Sequence, residues 1–219
     1  DEASANLFDY YRQQIELRRQ HRRADIVSDL MDSDLVVPDV DPRRLDDGEL
    51  LVFIAMVNVA GNETVARLLG WAALTLARNP DQRAKLLADP GLICGAVEEL
   101  LRYDAPSPIQ GRFALRDITY HDTVIPRGSK VALLTGSAGR DERQYERPDT
   151  FDVTRTGIRH ISFGHGSHFC LGAALARLEA RVALEETLKR FPDWTVDEAN
   201  VTYVHTNSVR GPASVPIAL

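Results

Sequence analysis

The sequence has 219 residues, 44% hydrophobic and 26% charged, with a formal net charge of −6. This describes one globular domain with a sizeable core, spanning 1–219, and argues against a nucleic-acid surface, which needs clustered Lys and Arg. The basic run at 18–23 sits among acids and reads as a solvated helix face, two cysteines make no disulfide framework and point to a reducing cytoplasm, and neither a signal-peptide start nor an unbroken run of ~18 apolar residues is seen.

In chain order, residues 5–31 read as helix: Leu7, Tyr10, Tyr11, Ile15 and Leu17 recur at near-helical spacing, with room for a break at 23–24. Residues 33–44, with Pro38 and Pro42, read as a loop. Asp46 or Asp47 then caps a helix of over 30 residues that stops before Asn79-Pro80. Its middle is apolar nearly all round, which predicts passage through a core. Helices over 80–89 and 91–104 follow, then a small β-sheet over 111–134 with turns at His121-Asp122 and Pro126-Arg127-Gly128. Residues 141–168 are long and irregular, as functional segments often are. An amphipathic helix spans 171–190, and the tail from Trp194 reads as short strands.

The strongest chemical signal is Phe163-Gly164-His165-Gly166-Ser167-His168-Phe169-Cys170-Leu171-Gly172. Glycines let this backbone turn sharply and aim N–H groups at a sulfur just ahead of a helix. On the residues alone three readings stand: a structural cysteine, a zinc site using His165, His168 and Cys170, or an axial thiolate for heme iron. Zinc is short of a second ligand pair nearby. Glu99 and Arg102 share a helix face three residues apart, which by itself describes an ordinary surface ion pair. Ala60-Gly61-Asn62-Glu63-Thr64 interrupts the long helix; small residues there let a flat ligand or a neighbouring helix approach, and Thr64 can bond back to a carbonyl.

The run from Phe163 to Glu179, about 17 consecutive positions, closely resembles the cysteine loop and following helix of bacterial cytochromes P-450. That resemblance implies that Cys170 ligates the iron of heme b (iron protoporphyrin IX), with Phe163, Gly164 and Gly172 shaping the loop and His168 bonding a heme propionate. It implies that Arg112, in Gly111-Arg112-Phe113-Ala114, binds the second propionate. Glu99, Arg102 and Arg155 match the family's buried structural triad. Ala60 and Gly61 match the small pair over the distal heme face, Thr64 the residue that orients dioxygen, and Glu63 a member of the proton-delivery chain. Ser137-Ala138-Gly139-Arg140-Asp141-Glu142 resembles an Ala-Asn-Arg-Asp signature, with Gly139 in place of Asn. The tail from Val209 to Pro216 resembles the closing hairpin, so Thr206-Asn207-Ser208 faces the substrate.

The resemblance covers all 219 residues in the family's order, and about half of the family's usual length. The expected fold is mainly α with small β-sheets, the carboxy-terminal portion of the cytochrome P-450 fold. The expected activity is heme-thiolate monooxygenation of an apolar small molecule by dioxygen. Electrons come from a ferredoxin-type or flavoprotein donor, and neither nucleic acid nor membrane is a partner. The expected setting is cytoplasmic. Apolar surface left open in such a half predicts self-association or pairing with the missing half. A truncated chain without turnover is the competing expectation.

Overall fold

The computed structural model describes residues 2–36, 41–206 and 208–219. Pro38 of the expected loop and Asn207 of the expected substrate-facing loop lie outside them. The chain forms two compact units, Asp1–Asn62 and Glu63–Leu219.

In the first unit, α1 (Glu2–Gln20) and α2 (Ile26–Asp32) are separate helices. The break falls where Asp25 caps α2, accepting from the Ser28 N–H at 3.0 Å, while Arg18 of α1 donates to the same carboxylate at 2.8 Å. A two-residue ladder joins β1 (Asp34–Leu35) to β2 (Arg43–Arg44). The long helix α3 (Asp47–Arg78) begins here. Asp46 is its cap, and the cap is reciprocal: Glu49 N–H donates to Asp46 Oδ1 at 2.8 Å, and Asp46 N–H donates to Glu49 Oε2 at 2.9 Å. Ile15, Met31 and Leu50 form the unit's small core, with Ile54 packed against it.

The middle of α3 departs from the core expected around it. Val52, Met56 and Val59 are 63%, 53% and 64% exposed. Leu50 and Ile54 face the core, and among the described residues nothing covers the other side. By length and hydropathy α3 is also the one helix among the described residues able to cross a membrane, a test that core helices pass too. A count of unbroken apolar residues overlooks it because Asn58, Asn62 and Glu63 interrupt the run.

In the second unit, α3 continues from Glu63 and is followed by α4 (Pro80–Ala88) and α5 (Ile93–Tyr103), with a 3-10 turn between them. Pro80 opens α4, where its missing N–H is not needed. The core gathers Leu68, Ala72 and Leu76 of α3, Leu86 of α4, Ala96, Val97 and Leu100 of α5, Phe151 and Val153, and Ala180, Leu184 and Leu188 of α7 (Ala173–Arg190).

The sheet expected over 111–134 is two separate antiparallel ladders. β3 (Gln110–Phe113) pairs with β6 (Lys130–Leu133), and β4 (Ile118–Tyr120) pairs with β5 (Thr123–Ile125). The bonds Ala114 N–H to Ser129 O and Gly128 N–H to Ala114 O close the outer ladder before the inner one begins. A one-turn α6 (Thr135–Ala138) follows. In the tail, β7 (Thr195–Val196) pairs with β10 (Ile217–Ala218), and β8 (Thr202–Tyr203) with β9 (Pro212–Ser214). The tail is tied to α3 by two indoles: Trp71 Nε1 donates to Arg210 O and Trp194 Nε1 to Ala73 O, each at 3.0 Å.

α7 is less amphipathic than expected. Ala173, Ala180, Leu184 and Leu188 are buried, yet Leu175 (57% exposed), Leu178 and Val182 stand on its open side.

Candidate functional site

Cys170 and the loop that carries it belong to the second unit. Gly164 and Gly166 have φ of +74° and +69°, the left-handed region that favours glycine. Gly164 N–H donates to Ile161 O at 2.9 Å, Phe169 N–H to Gly166 O at 3.0 Å and Cys170 N–H to Phe163 O at 2.8 Å. The backbone thus loops back on itself and presents Cys170, free and exposed, just ahead of α7. His168 lies in a 3-10 turn (Gly166–His168), exposed beside it. Phe169 is 53% exposed, and its ring stands 6.4 Å from that of Phe163.

Behind the loop, α5 supplies two neighbouring acids with separate partners. Glu99 faces inward. Arg102 Nε and Nη2 reach its two oxygens at 2.7 and 2.8 Å, and both side chains are fully shielded from solvent. The surface ion pair that the residues alone describe is therefore corrected to a buried fork. Arg155 Nε adds a third contact at 3.2 Å, and Asp152 N–H donates to Glu99 Oε1 at 3.0 Å. The remaining Arg102 donors go to the carbonyls of Gly139 (2.6 Å), Pro148 (2.7 Å) and Thr150 (3.2 Å). Each charge has full partners, the condition under which a buried ion pair is tolerated. The network pins the irregular segment from 139 to 155 onto α5.

Glu98 faces the loop. It accepts Arg177 Nε at 2.6 Å and Nη2 at 3.0 Å from α7, and His160 Nε2 lies 3.1 Å from its Oε2. Burial pushes this carboxyl up, but the hydrogen bonds from His160 and Arg177 outweigh it and hold the group at about 2. The Arg177 guanidinium lies 4.5 Å above the Phe163 ring.

The other expected site residues stand as follows. Arg112 is exposed on β3 and donates to the Gly111 carbonyl at 2.8 Å. Ala60 and Gly61 lie in the first unit, on α3, and a Cβ at Gly61 would meet nothing within 4 Å. Glu63 and Thr64, half-buried, lie on α3 in the second unit.

Whether these residues suit an iron porphyrin is tested by the donor set. Among the described residues no group of three or more His, Cys, Asp and Glu is placed to hold a metal ion. His165, His168 and Cys170 therefore do not form a zinc cluster, and a metal at Cys170 would need ligands from outside the chain. Porphyrin iron brings such ligands, with one axial thiolate added. A Cβ on Gly166 or Gly172 would meet nothing within 4 Å, so the loop leaves room for a flat partner. The residues fit the group.

Sequence reasoning missed Glu98 and His160. A glutamate beside another on a helix looks like a solvated face, and a histidine in an irregular segment has no periodicity to read. Arg177 was in the resemblance run without a role of its own.

The family model described as Cytochrome P450 matches residues 92–207, more than half of the chain. A Mycobacterium tuberculosis (strain H37Rv) protein named "Putative cytochrome P450 123" is 43% identical over 218 residues, which are 99% of this chain and 53% of that protein. Among solved structures, Bacillus subtilis 168 bacillaene polyketide synthase cytochrome P450 PksS aligns with a TM-score of 0.91 at 37% identity, covering 100% of this chain and 56% of that one. P450BioI in complex with hexadec-9Z-enoic acid ligated acyl carrier protein aligns with a TM-score of 0.89 at 34% identity, covering 97% of this chain and 53% of that one. The chain spans about half the length of the relatives it matches.

Proposed function

The chain belongs to the cytochrome P450 family, and on that premise we propose that the protein of which it makes up at least this part is a heme-thiolate monooxygenase. The observation that carries the reading is the exposed Cys170 on a glycine-turned loop, with no group of three or more His, Cys, Asp and Glu placed to hold a metal among the described residues. Bound heme b would supply dioxygen activation, with the thiolate as an electron-rich axial ligand.

The chain's own residues divide the remaining work. Cys170 would hold the iron through its sulfur, and Phe163, Gly164 and Gly172 shape the loop that carries it. His168 and Arg112 are exposed cationic or hydrogen-bonding side chains suited to the two propionates. Ala60 and Gly61 leave α3 bare enough for a flat group to approach. With heme bound, Thr64 would offer its hydroxyl, and Glu63 its carboxyl, as hydrogen-bonding and proton-carrying groups on α3. Glu99, Arg102 and Arg155 hold the segment behind the loop and touch no reacting atom.

The substrate is an apolar small molecule. The fatty acyl chain bound with P450BioI supports a lipid-like ligand, delivered free or on a carrier protein. Electrons come from a ferredoxin or flavoprotein, and the setting is cytoplasmic. A second reading, heme binding without turnover by this chain alone, is favoured by the exposed apolar residues beside Cys170 and along α7, which leave a bound cofactor open to water.

The test is the visible spectrum of the purified chain, reduced and exposed to carbon monoxide. A strongly red-shifted Soret band that disappears in Cys170→Ala supports thiolate ligation. A band that survives Cys170→Ala refutes it.

A further inference from the structure

Glu98, His160 and Arg177 form a closed set of contacts between three parts of the second unit: α5, the segment leading into the cysteine loop, and α7. His160 is the key to its protonation pattern. Its Nδ1 accepts the Ser162 N–H at 3.2 Å, so the ring proton sits on Nε2 and is donated to Glu98 Oε2 at 3.1 Å. The His160 side chain is only 3% exposed. One residue on, Ser162 Oγ donates to the Leu101 carbonyl of α5 at 2.6 Å. The Glu98 carboxylate therefore receives three N–H donors, one from the loop segment and two from α7.

Arg177 is fixed by this fork and lies against Phe163, whose carbonyl receives the Cys170 N–H. The Glu98 hydrogen bonds raise the guanidinium against the effect of burial, so Arg177 stays charged where it lies against Phe163.

We infer that Glu98 is a positioning residue for Cys170: through His160 it holds the loop against α5, and through Arg177 it fixes a positive charge against Phe163, the residue whose carbonyl receives the Cys170 N–H. This rests on the reading of Cys170 as the axial thiolate only for its electrostatic half; the clamp itself needs no cofactor. Glutamine cannot replace the acid. Its amide has one oxygen for three donors and turns an NH2 group toward at least one of them.

The deciding experiment is amide hydrogen exchange on the full chain, wild type against Glu98→Gln. Exchange over 160–173 should accelerate tenfold or more, with the β3–β6 ladder unchanged. Unchanged loop exchange, or equal acceleration of loop and ladder, overturns the clamp. If Glu98→Gln does not fold, Arg177→Gln carries the same test, because its side chain is 39% exposed. In heme-loaded protein the reduction potential should shift in opposite directions: more negative in Arg177→Gln, which removes the positive charge, and more positive in Glu98→Gln, which leaves it unbalanced. A purely structural role would move both the same way, and that result overturns the electrostatic half. A wild-type chain that binds heme without a thiolate-type Soret band refutes the thiolate reading instead, while loop exchange still decides the clamp.

Discussion

Arg102 reaches Glu99 through a two-pronged contact of 2.7 and 2.8 Å within one turn of α5, and neither side chain touches solvent. Removing one partner strands a buried charge. Arg102→Ala should therefore destabilise the chain by about 3–5 kcal/mol, read from the urea midpoint. Arg155→Ala should do far less, since Glu99 keeps its fork and Arg155 is partly exposed. Equal losses in the two variants would contradict this ranking.

Gly139 carries a second prediction. A Cβ there would overlap the Arg102 carbonyl oxygen, while the Gly139 carbonyl accepts from Arg102 Nη1. Gly139→Ala must push two backbones apart and should cost about 1–3 kcal/mol. Gly157→Ala serves as the comparison. Unlike Gly139, whose φ is −67°, Gly157 sits at a positive φ, 67°, and has open space around it, so it reports backbone strain without the clash.

Acid sensitivity should trace partly to Glu98. Its carboxyl titrates at about 2 in the fold against 4.5 ordinarily, because the donors from His160 and Arg177 outweigh burial. The charged form favours folding, so its contribution is complete above pH ~4.5 and fades as the pH falls toward 2. Wild type should lose stability across that window, and Glu98→Gln should show a flatter acid limb. A wild-type and variant pair with parallel curves would refute the assignment.

Leu175, Leu178 and Val182 give α7 an apolar solvent face beside the exposed Phe169 and Leu171. Patches of this kind seek partners. The chain should sediment above monomer mass as concentration rises, and Leu175→Glu with Leu178→Glu should restore the monomer. A monomer at every concentration would contradict this.

Much of the fold was legible because it rests on local signals. Asn79-Pro80 ended α3, and the alternating residues from Gly111 gave strands. The break between α1 and α2 was legible too, although its cause, the Asp25 cap, was not singled out. Long-range pairing was harder to read. The nested bonds around Ala114 that split one sheet into two ladders join residues 14 and 15 positions apart, with no composition signal. The exposed middle of α3 was misread because an all-apolar helix signals burial without saying what does the burying.

At the site, Cys170 and its glycines were legible because a loop of that kind is rare and its chemistry is contained in ten residues. Arg102 and Glu99 had helical spacing to mark them, but their complete burial could not be read from it. Glu98 and His160 lie 62 positions apart and meet only in the fold.

Glu98 and Glu99 are consecutive, and a helix turns by about 100° between consecutive residues. One therefore serves the cysteine loop and α7, and the other the segment from 139 to 155. A single-residue deletion earlier in α5 would rotate both acids together and misalign both sets of partners at once. The helix works like a cam with two lobes: its angular setting, more than the chemistry of either acid alone, keeps the two assemblies in step.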